Sequence, residues 1–432
     1  MNRWHRLAPS LALAGVMACG DEGPPDEVGR RDVGSGPDAT VQPPEEREFV
    51  VDVVAGLGSS AAVGDYAVAR ANPDGRPAVA FGYYSTEGSD PIREIRLAEL
   101  GEGGTWSIET VVSPARNFEP AASNTLRGLG FDYVDGQPHV AYLGGDNDGH
   151  PAIDSDLSDL ALSVKSGGTW QETILSESSA EATGECFDQA NYCVQGVTVG
   201  LFPTLRAGPG PGEFVITHRD EHFLGFGSED SASADLELYG APSGRKVMVD
   251  GGRSAGNRSA IAYLPDGRVA VAYTLDEPET EVWVAVEDGD DWSRTRVSEA
   301  TAIHRLGLDA TSDGTLWLAY FDRDTVDLVV ASSTDDGETW VLERVEERGD
   351  VGLHPTLAVG ADDTVFVAYT YCGSASDRDC PGTLTRDSEV RLATRAPGAA
   401  EWTIQRVSDN QGQGFAGLFN SLVVLPNGRL GV

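Results

Sequence analysis

Three groups of residues in this 432-residue chain could do chemistry by type and spacing. His218-Arg219-Asp220-Glu221-His222 has the form His-x-x-Glu-His, which gathers two imidazoles and a carboxylate around zinc when the segment is helical. The preceding Phe214-Val-Ile-Thr217 reads as a strand running straight into it. On a strand, residues four apart share a face but sit about 13 Å apart, too far for one zinc ion. The segment is therefore expected to be polar structure rather than a metal site. Asp146, Asp148, Asp154 and Asp156, with Asp159 nearby, form a dense acidic stretch. Calcium takes several oxygen ligands from a flexible loop, so these are candidate calcium ligands, although the spacing lacks the first ligand of an EF-hand loop. A solvated acidic loop is the alternative. No other cofactor is implied.

The third group is the cysteines, of which there are five. Arg3, His5 and Arg6 precede the short apolar run Leu7 to Ala18, which ends at Cys19. A basic start and a short apolar segment make a signal peptide, too short to span a bilayer. Val16-Met17-Ala18-Cys19 resembles the lipobox of bacterial lipoproteins, with Val16 where that pattern prefers Leu. The resemblance implies cleavage after residue 18 and acylation of the Cys19 thiol. Residues 19–47 are rich in Pro, Gly and acids. They cannot bury enough apolar surface to offset their ordering entropy, so they read as a disordered tether. The remaining cysteines form two local pairs, Cys186 with Cys193 and Cys372 with Cys380. An even number in close pairs on an exported chain predicts two loop-stapling disulfides. A four-cysteine zinc site is the alternative, but neither pair has its tight spacing.

Composition limits the partners. There are 69 Asp plus Glu against 31 Lys plus Arg, a net charge of −38. Such a surface repels phosphates, which argues against nucleic acid. Membrane contact is expected through the lipid anchor alone, at the outer membrane or cell surface, with the chain acting as a monomer. The 52 glycines fit a turn-rich all-β protein.

Residues 48–432 carry a repeat. A turn with Gly or Asp leads into an alternating strand ending in Ala-aromatic, as in Asp-Gly-Arg-Pro-Ala-Val-Ala-Phe81, Asp-Gly-Gln-Pro-His-Val-Ala-Tyr142 and Asp-Gly-Arg-Val-Ala-Val-Ala-Tyr273. Copies end at Tyr320 and Tyr369, and a weaker one at His218. A second phrase places Trp106, Trp170, Trp292, Trp340 and Trp402 after a Gly-bearing turn and before a short strand. Repeats of roughly 50 to 75 residues with several short strands each predict a β-propeller. About seven four-stranded blades are expected, strands a to d running outward. The closing blade would be composite, joining residues 48–54 to 417–432.

Ser333-Thr-Asp335-Asp-Gly337-Glu-Thr339-Trp340 matches every position of the Asp-box turn, Ser-x-Asp-x-Gly-x-Thr-Trp. The chain thus resembles the Asp-box, or BNR-repeat, β-propellers of the sialidase superfamily. The box is a structural signature of the c–d hairpin. Sialidase chemistry would need an Arg cluster for a sugar carboxylate, a Tyr nucleophile and acidic partners. The family's early Arg-Ile-Pro signature is absent here. Arg116, Arg127, Arg258 and Arg305 lie near strand a or d–a loops, and nothing in the sequence groups three of them. The Ala-Tyr tyrosines recur as packing residues do. The expected function is a lipid-anchored module binding an extracellular glycan, polymer or protein, with a glycoside hydrolase as the alternative. Short a–b and c–d turns put one face under tight constraint. Any ligand is therefore expected on the other face, where long d–a and b–c loops surround the central channel. The overall charge favours a neutral or cationic partner, or one bridged by calcium, unless several Arg gather locally.

Overall fold

Asp-Gly turns join the alternating apolar runs into antiparallel hairpins because the turn needs a positive φ that Gly accepts without strain. Gly267 (φ 90°) and Gly314 (φ 88°) sit there, and their amides close the turns onto Leu264 and Thr311. In the Asp-Asp copy, Asp363 takes the same role at φ 61°, a conformation Asp tolerates better than most residues. The computed structural model describes residues 54–55, 62–85, 92–113, 128–144, 159–178, 196, 198–221, 234–251, 254–276, 280–299, 302, 305–346, 350–372, 388–409 and 420–432.

Six four-stranded antiparallel sheets follow one another, each in strict chain order. The first blade is β1 (Ala62–Ala71), β2 (Pro77–Ser85), β3 (Ile92–Leu100) and β4 (Trp106–Val112). The second is β5 (Gly130–Val134), β6 (Gln137–Gly144), β7 (Asp159–Ser166) and β8 (Thr169–Ser176). The third is β9 (Thr198–Ala207), β10 (Phe214–Glu221), β11 (Ala234–Ala241) and β12 (Arg245–Asp250). The fourth is β13 (Ala255–Tyr263), β14 (Val269–Leu275), β15 (Glu281–Asp288) and β16 (Asp291–Ser298). The fifth is β17 (Gly307–Ala310), β18 (Leu316–Asp322), β19 (Asp327–Ser333) and β20 (Val341–Glu346). The sixth is β21 (Asp350–Val359), β22 (Val365–Cys372), β23 (Ser388–Arg395) and β24 (Thr403–Asp409). A two-stranded sheet ends the chain, β25 (Val423–Val424) with β26 (Leu430–Gly431).

The architecture is all-β, a β-propeller, and the blade count corrects the expectation. Among the described residues there are six four-stranded blades, not about seven. The seventh repeat contributes one a–b hairpin, because residues 420–432 supply only two short paired strands. The N-terminal strand expected to complete it falls on residues outside the described ones, except Val54, which is not in a strand. The long intervals after the first and second blades hold no further sheet among the described residues.

The core lies between blades. Val282, Val284 and Val286 of the fourth blade pack with Leu316, Leu318 and Tyr320 of the fifth. Corresponding clusters join the first to the second, the second to the third, the third to the fourth and the fifth to the sixth. Strand b is therefore covered on both faces. All seven residues of β14 are buried, and its near-continuous apolar sequence follows from that. The recurring tyrosines sit in these layers. Tyr142, Tyr273, Tyr320 and Tyr369 are fully buried. Three of their hydroxyls reach carboxylates, Tyr273 to Asp250 (2.7 Å), Tyr369 to Glu346 (2.6 Å) and Tyr142 to Glu172.

Candidate functional site

The inner strands surround a cavity of about 430 Å³. Residues two apart on a strand share a face. β1 accordingly turns Tyr66, Val68 and Arg70 to the cavity, and β9 turns Phe202, Thr204 and Arg206. Tyr66, Phe202 and His354 lie mid-strand, nearer the long-loop end than Arg70 and Arg206 are. Arg70 and Arg206 lie toward the a–b turns. The three earlier residues share an unusual backbone, with φ of 52°, 50° and 49°. This left-handed conformation costs a non-glycine residue about 1–2 kcal/mol. It coincides with irregular register in β1 and β21, where a bulge re-aims the side chain. The Tyr66 and Phe202 rings lie 6.4 Å apart.

Two further cations line the same cavity. Arg258 of β13 and Arg305, just ahead of β17, both line the cavity, and both feel Tyr66 electrostatically. Burial pulls the Arg305 guanidinium down to about 10 and lowers that of Arg258, on which Asp276 acts as the opposing attraction. Arg258 makes no hydrogen bond or ion pair with another described residue. Asp276 is itself held by Asn257, and burial raises its carboxyl above the usual range.

The a–b end is crossed by ion pairs. Arg70 meets Asp132 at 3.3 Å, and Arg206 meets Asp309 at 3.4 Å. Both carboxylates also accept backbone amides from the following blade, Asp132 from Ala207 (3.1 Å) and Asp309 from Val359 (3.0 Å). These groups brace the ring. Among the described residues that line the cavity there are four Arg and no Asp or Glu.

The other candidates fare differently. His218 lies in β10 and is 1% exposed, so the segment is a strand. Its Nε2 stands 3.6 Å from Glu237, and burial pushes its imidazole down to about 4. His222 lies outside the described residues, and no metal-holding group of His, Cys, Asp or Glu occurs among those described. Asp146, Asp148, Asp154 and Asp156 lie outside them too, as do Cys19, Cys186, Cys193, Cys380, Arg116 and Arg127. Asp159 accepts Ser178 N (2.7 Å) and Oγ (2.8 Å). Cys372 ends β22 and is buried.

The Ser333–Trp340 turn has the geometry its residue types suggest. Asp335 accepts Thr339 N (2.9 Å), Thr339 Oγ1 (2.6 Å) and Ser333 Oγ (2.8 Å). These bonds, led by the Thr339 hydroxyl, hold its carboxyl below the usual range. Trp340 donates to Gly337 O (3.0 Å) and packs against the layer between the fourth and fifth blades. No residue of the turn lines the cavity.

Sequence reasoning named Arg258 and Arg305 but did not bring them together. It missed Tyr66, Phe202 and His354. A signal existed: Gly200-Leu-Phe-Pro-Thr-Leu205 and Gly352-Leu-His-Pro-Thr-Leu357 are near copies.

The sequence matches no protein-family profile and no curated protein. Similar solved structures are remote. A protein of unknown function from Dyadobacter fermentans is 13% identical, with a TM-score of 0.47 over 72% of this chain and 91% of that one. The six-bladed β-propeller lectin of Aleuria aurantia, described with a fucose recognition mode, is 12% identical, with a TM-score of 0.46 over 82% and 96%. The α-L-arabinofuranosidase Arb93A of Fusarium graminearum is 12% identical, with a TM-score of 0.46 over 77% and 93%.

Proposed function

We propose that this chain is an exported, lipid-anchored binding module that takes an acidic extracellular glycan at the long-loop end of its cavity. One observation carries the reading. In a chain of net charge −38, the cavity lining has four Arg and, among the described residues, no carboxylate. The charge of the whole molecule favoured a neutral or cationic partner, and this local gathering of Arg reverses that expectation. Asp132 and Asp309 offset Arg70 and Arg206, so Arg258 and Arg305 supply the field that a low-dielectric wall focuses on an incoming anion. A guanidinium with free N–H groups suits a carboxylate geometrically, and Arg258 is so placed. Tyr66 and Phe202 supply apolar faces for a sugar ring, as aromatic side chains do in ligand pockets.

Binding fits the lining better than hydrolysis does. Glycoside hydrolysis generally uses two carboxyl groups flanking the bond. Asp132 and Asp309 are committed to Arg and backbone amides. One observation favours the hydrolase alternative: the buried Asp276 carboxyl, raised above its usual range beside Arg258, has the character of a general acid.

Calorimetric titration with tri-galacturonate and with its methyl ester, which differ in charge, tests the proposal. The acid form is expected to bind at least tenfold tighter, and Arg258→Gln to remove that difference, each factor of ten being about 1.4 kcal/mol. Equal affinities, or no binding of either, would overturn it. Release of reducing sugar that is lost in Asp276→Asn would favour the hydrolase.

A further inference from the structure

Arg305 holds the ring closed from inside the cavity. Its Nη1 donates to Ala67 O in β1 and to Asn420 O just before β25, both at 3.0 Å. Ala67 belongs to the first blade, Arg305 to the approach to the fifth and Asn420 to the final hairpin. The two carbonyls therefore flank the seam where the last sheet meets the first. Few other contacts cross that seam among the described residues. Its buried apolar contact is Ala69, Val423 and Leu425, and Ser421 Oγ accepts Ala69 N at 2.8 Å. The β25–β26 hairpin pairs over only two positions.

Arg305 is also short of negative charge. It has no ion pair among the described residues, and its Nε and Nη2 make no hydrogen bond with them. Two neutral carbonyls offset a buried guanidinium only in part. Its lowered pKa, about 10, expresses the same deficit.

We infer that ring closure is coupled to anion occupancy of the cavity through Arg305, a positioning residue whose free edge faces the ligand while Nη1 holds both sides of the seam. The inference rests on the anionic-ligand reading above. An anion on Nε and Nη2 supplies the missing charge and orders the side chain over Ala67 and Asn420. By linkage, whatever favours the closed seam also favours the ligand. Bound ligand thereby stabilises the junction where the ring closes.

Hydrogen exchange of the full chain tests this with tri-galacturonate as the probe. Amides of Val423, Val424 and Leu430 are expected to exchange about tenfold more slowly in saturating probe, while central-strand amides of β14 and β18 change little. In Arg305→Gln the seam amides are expected to exchange about tenfold faster without probe, and adding probe is expected to leave them fast. Arg305→Lys, which keeps the charge but not both contacts, is expected to be intermediate, and it serves if the Gln variant does not fold. Arg258→Gln is expected to keep the wild-type seam without probe and to lose the response. Seam exchange unchanged by probe, or unchanged by both Arg305 substitutions, overturns the coupling. The calorimetric titration separates the failures. Heat of binding without seam protection sinks the coupling alone, whereas absence of both sinks the anionic reading as well.

Discussion

Arg206 of the third blade reaches Asp309 of the fifth at 3.4 Å, passing the fourth blade that lies between them in chain order. Asp309 also accepts Val359 N of the sixth blade. One carboxylate thus ties three blades, and its charge keeps the Arg206 guanidinium above its ordinary pKa.

Replacing Asp309 with Ala should therefore cost more than the pair itself contributes. It leaves a half-buried cation and an amide without their acceptor. Because Arg206 is 35% exposed, solvent screens part of the loss, and the expected destabilisation is about 1–3 kcal/mol. Urea midpoints measure it. The double variant Arg206→Met with Asp309→Leu should lose less than Asp309→Ala alone.

His218 should make the protein sensitive to mild acid. Burial pushes its imidazole down to about 4, against about 6.5 in an unfolded chain. The folded state thus binds the proton less readily than the unfolded state. Stability is full above about pH 6.5 and falls as pH drops toward 4, by roughly 2–3 kcal/mol. His218→Tyr, which restores the residue type of the other copies, should flatten that slope. Thermal melts at pH 7.5, 5.5 and 4.5 would show it.

Two glycines should resist substitution for different reasons. Gly337 has φ 83°, and a Cβ there would sit 3.2 Å from Val286 Cγ2. Gly337→Ala should cost about 1–2 kcal/mol. Gly307 lets adjacent inner strands approach, since a Cβ would lie 2.5 Å from Leu357 N and 2.7 Å from Leu357 Cβ. Gly307→Ala should cost more, about 2–4 kcal/mol, and chemical denaturation of both variants ranks them.

Cys19→Ala should move the protein from the membrane fraction to the soluble one. Fractionation with immunoblotting reads the result, and an unchanged membrane fraction counts against acylation at Cys19.

Non-reducing peptide mapping should find Cys186 linked to Cys193 and Cys372 linked to Cys380. Closing loops this small stabilises by about 2–3 kcal/mol each in the chain-entropy account. Cross-pairs or free thiols would contradict the assignment.

Much of the blade was legible in the linear chain because its determinants are local. The Asp-Gly dipeptides, the alternation ending at Tyr273 and the Ser333–Trp340 turn each act within a few residues through turn sterics and period-two burial. The phrases ending at Tyr273 and Tyr320 do lie in strands, β14 and β18. The zinc-like spacing at His218 was also answered locally, by the strand that precedes it. The blade count was not legible to the same degree. A repeat phrase marks a hairpin, and whether that hairpin gains two more strands depends on residues outside the phrase. The site was legible least of all. Net charge pointed to a cationic or neutral partner, yet Arg258 and Arg305 meet in one cavity because inner strands from different blades converge on an axis. Arg305 reaches Ala67 across 238 positions, and no pattern in the chain encodes that meeting. Side-chain periodicity dictates which residues face inward from each strand. Only closure of the ring decides which of them face one another.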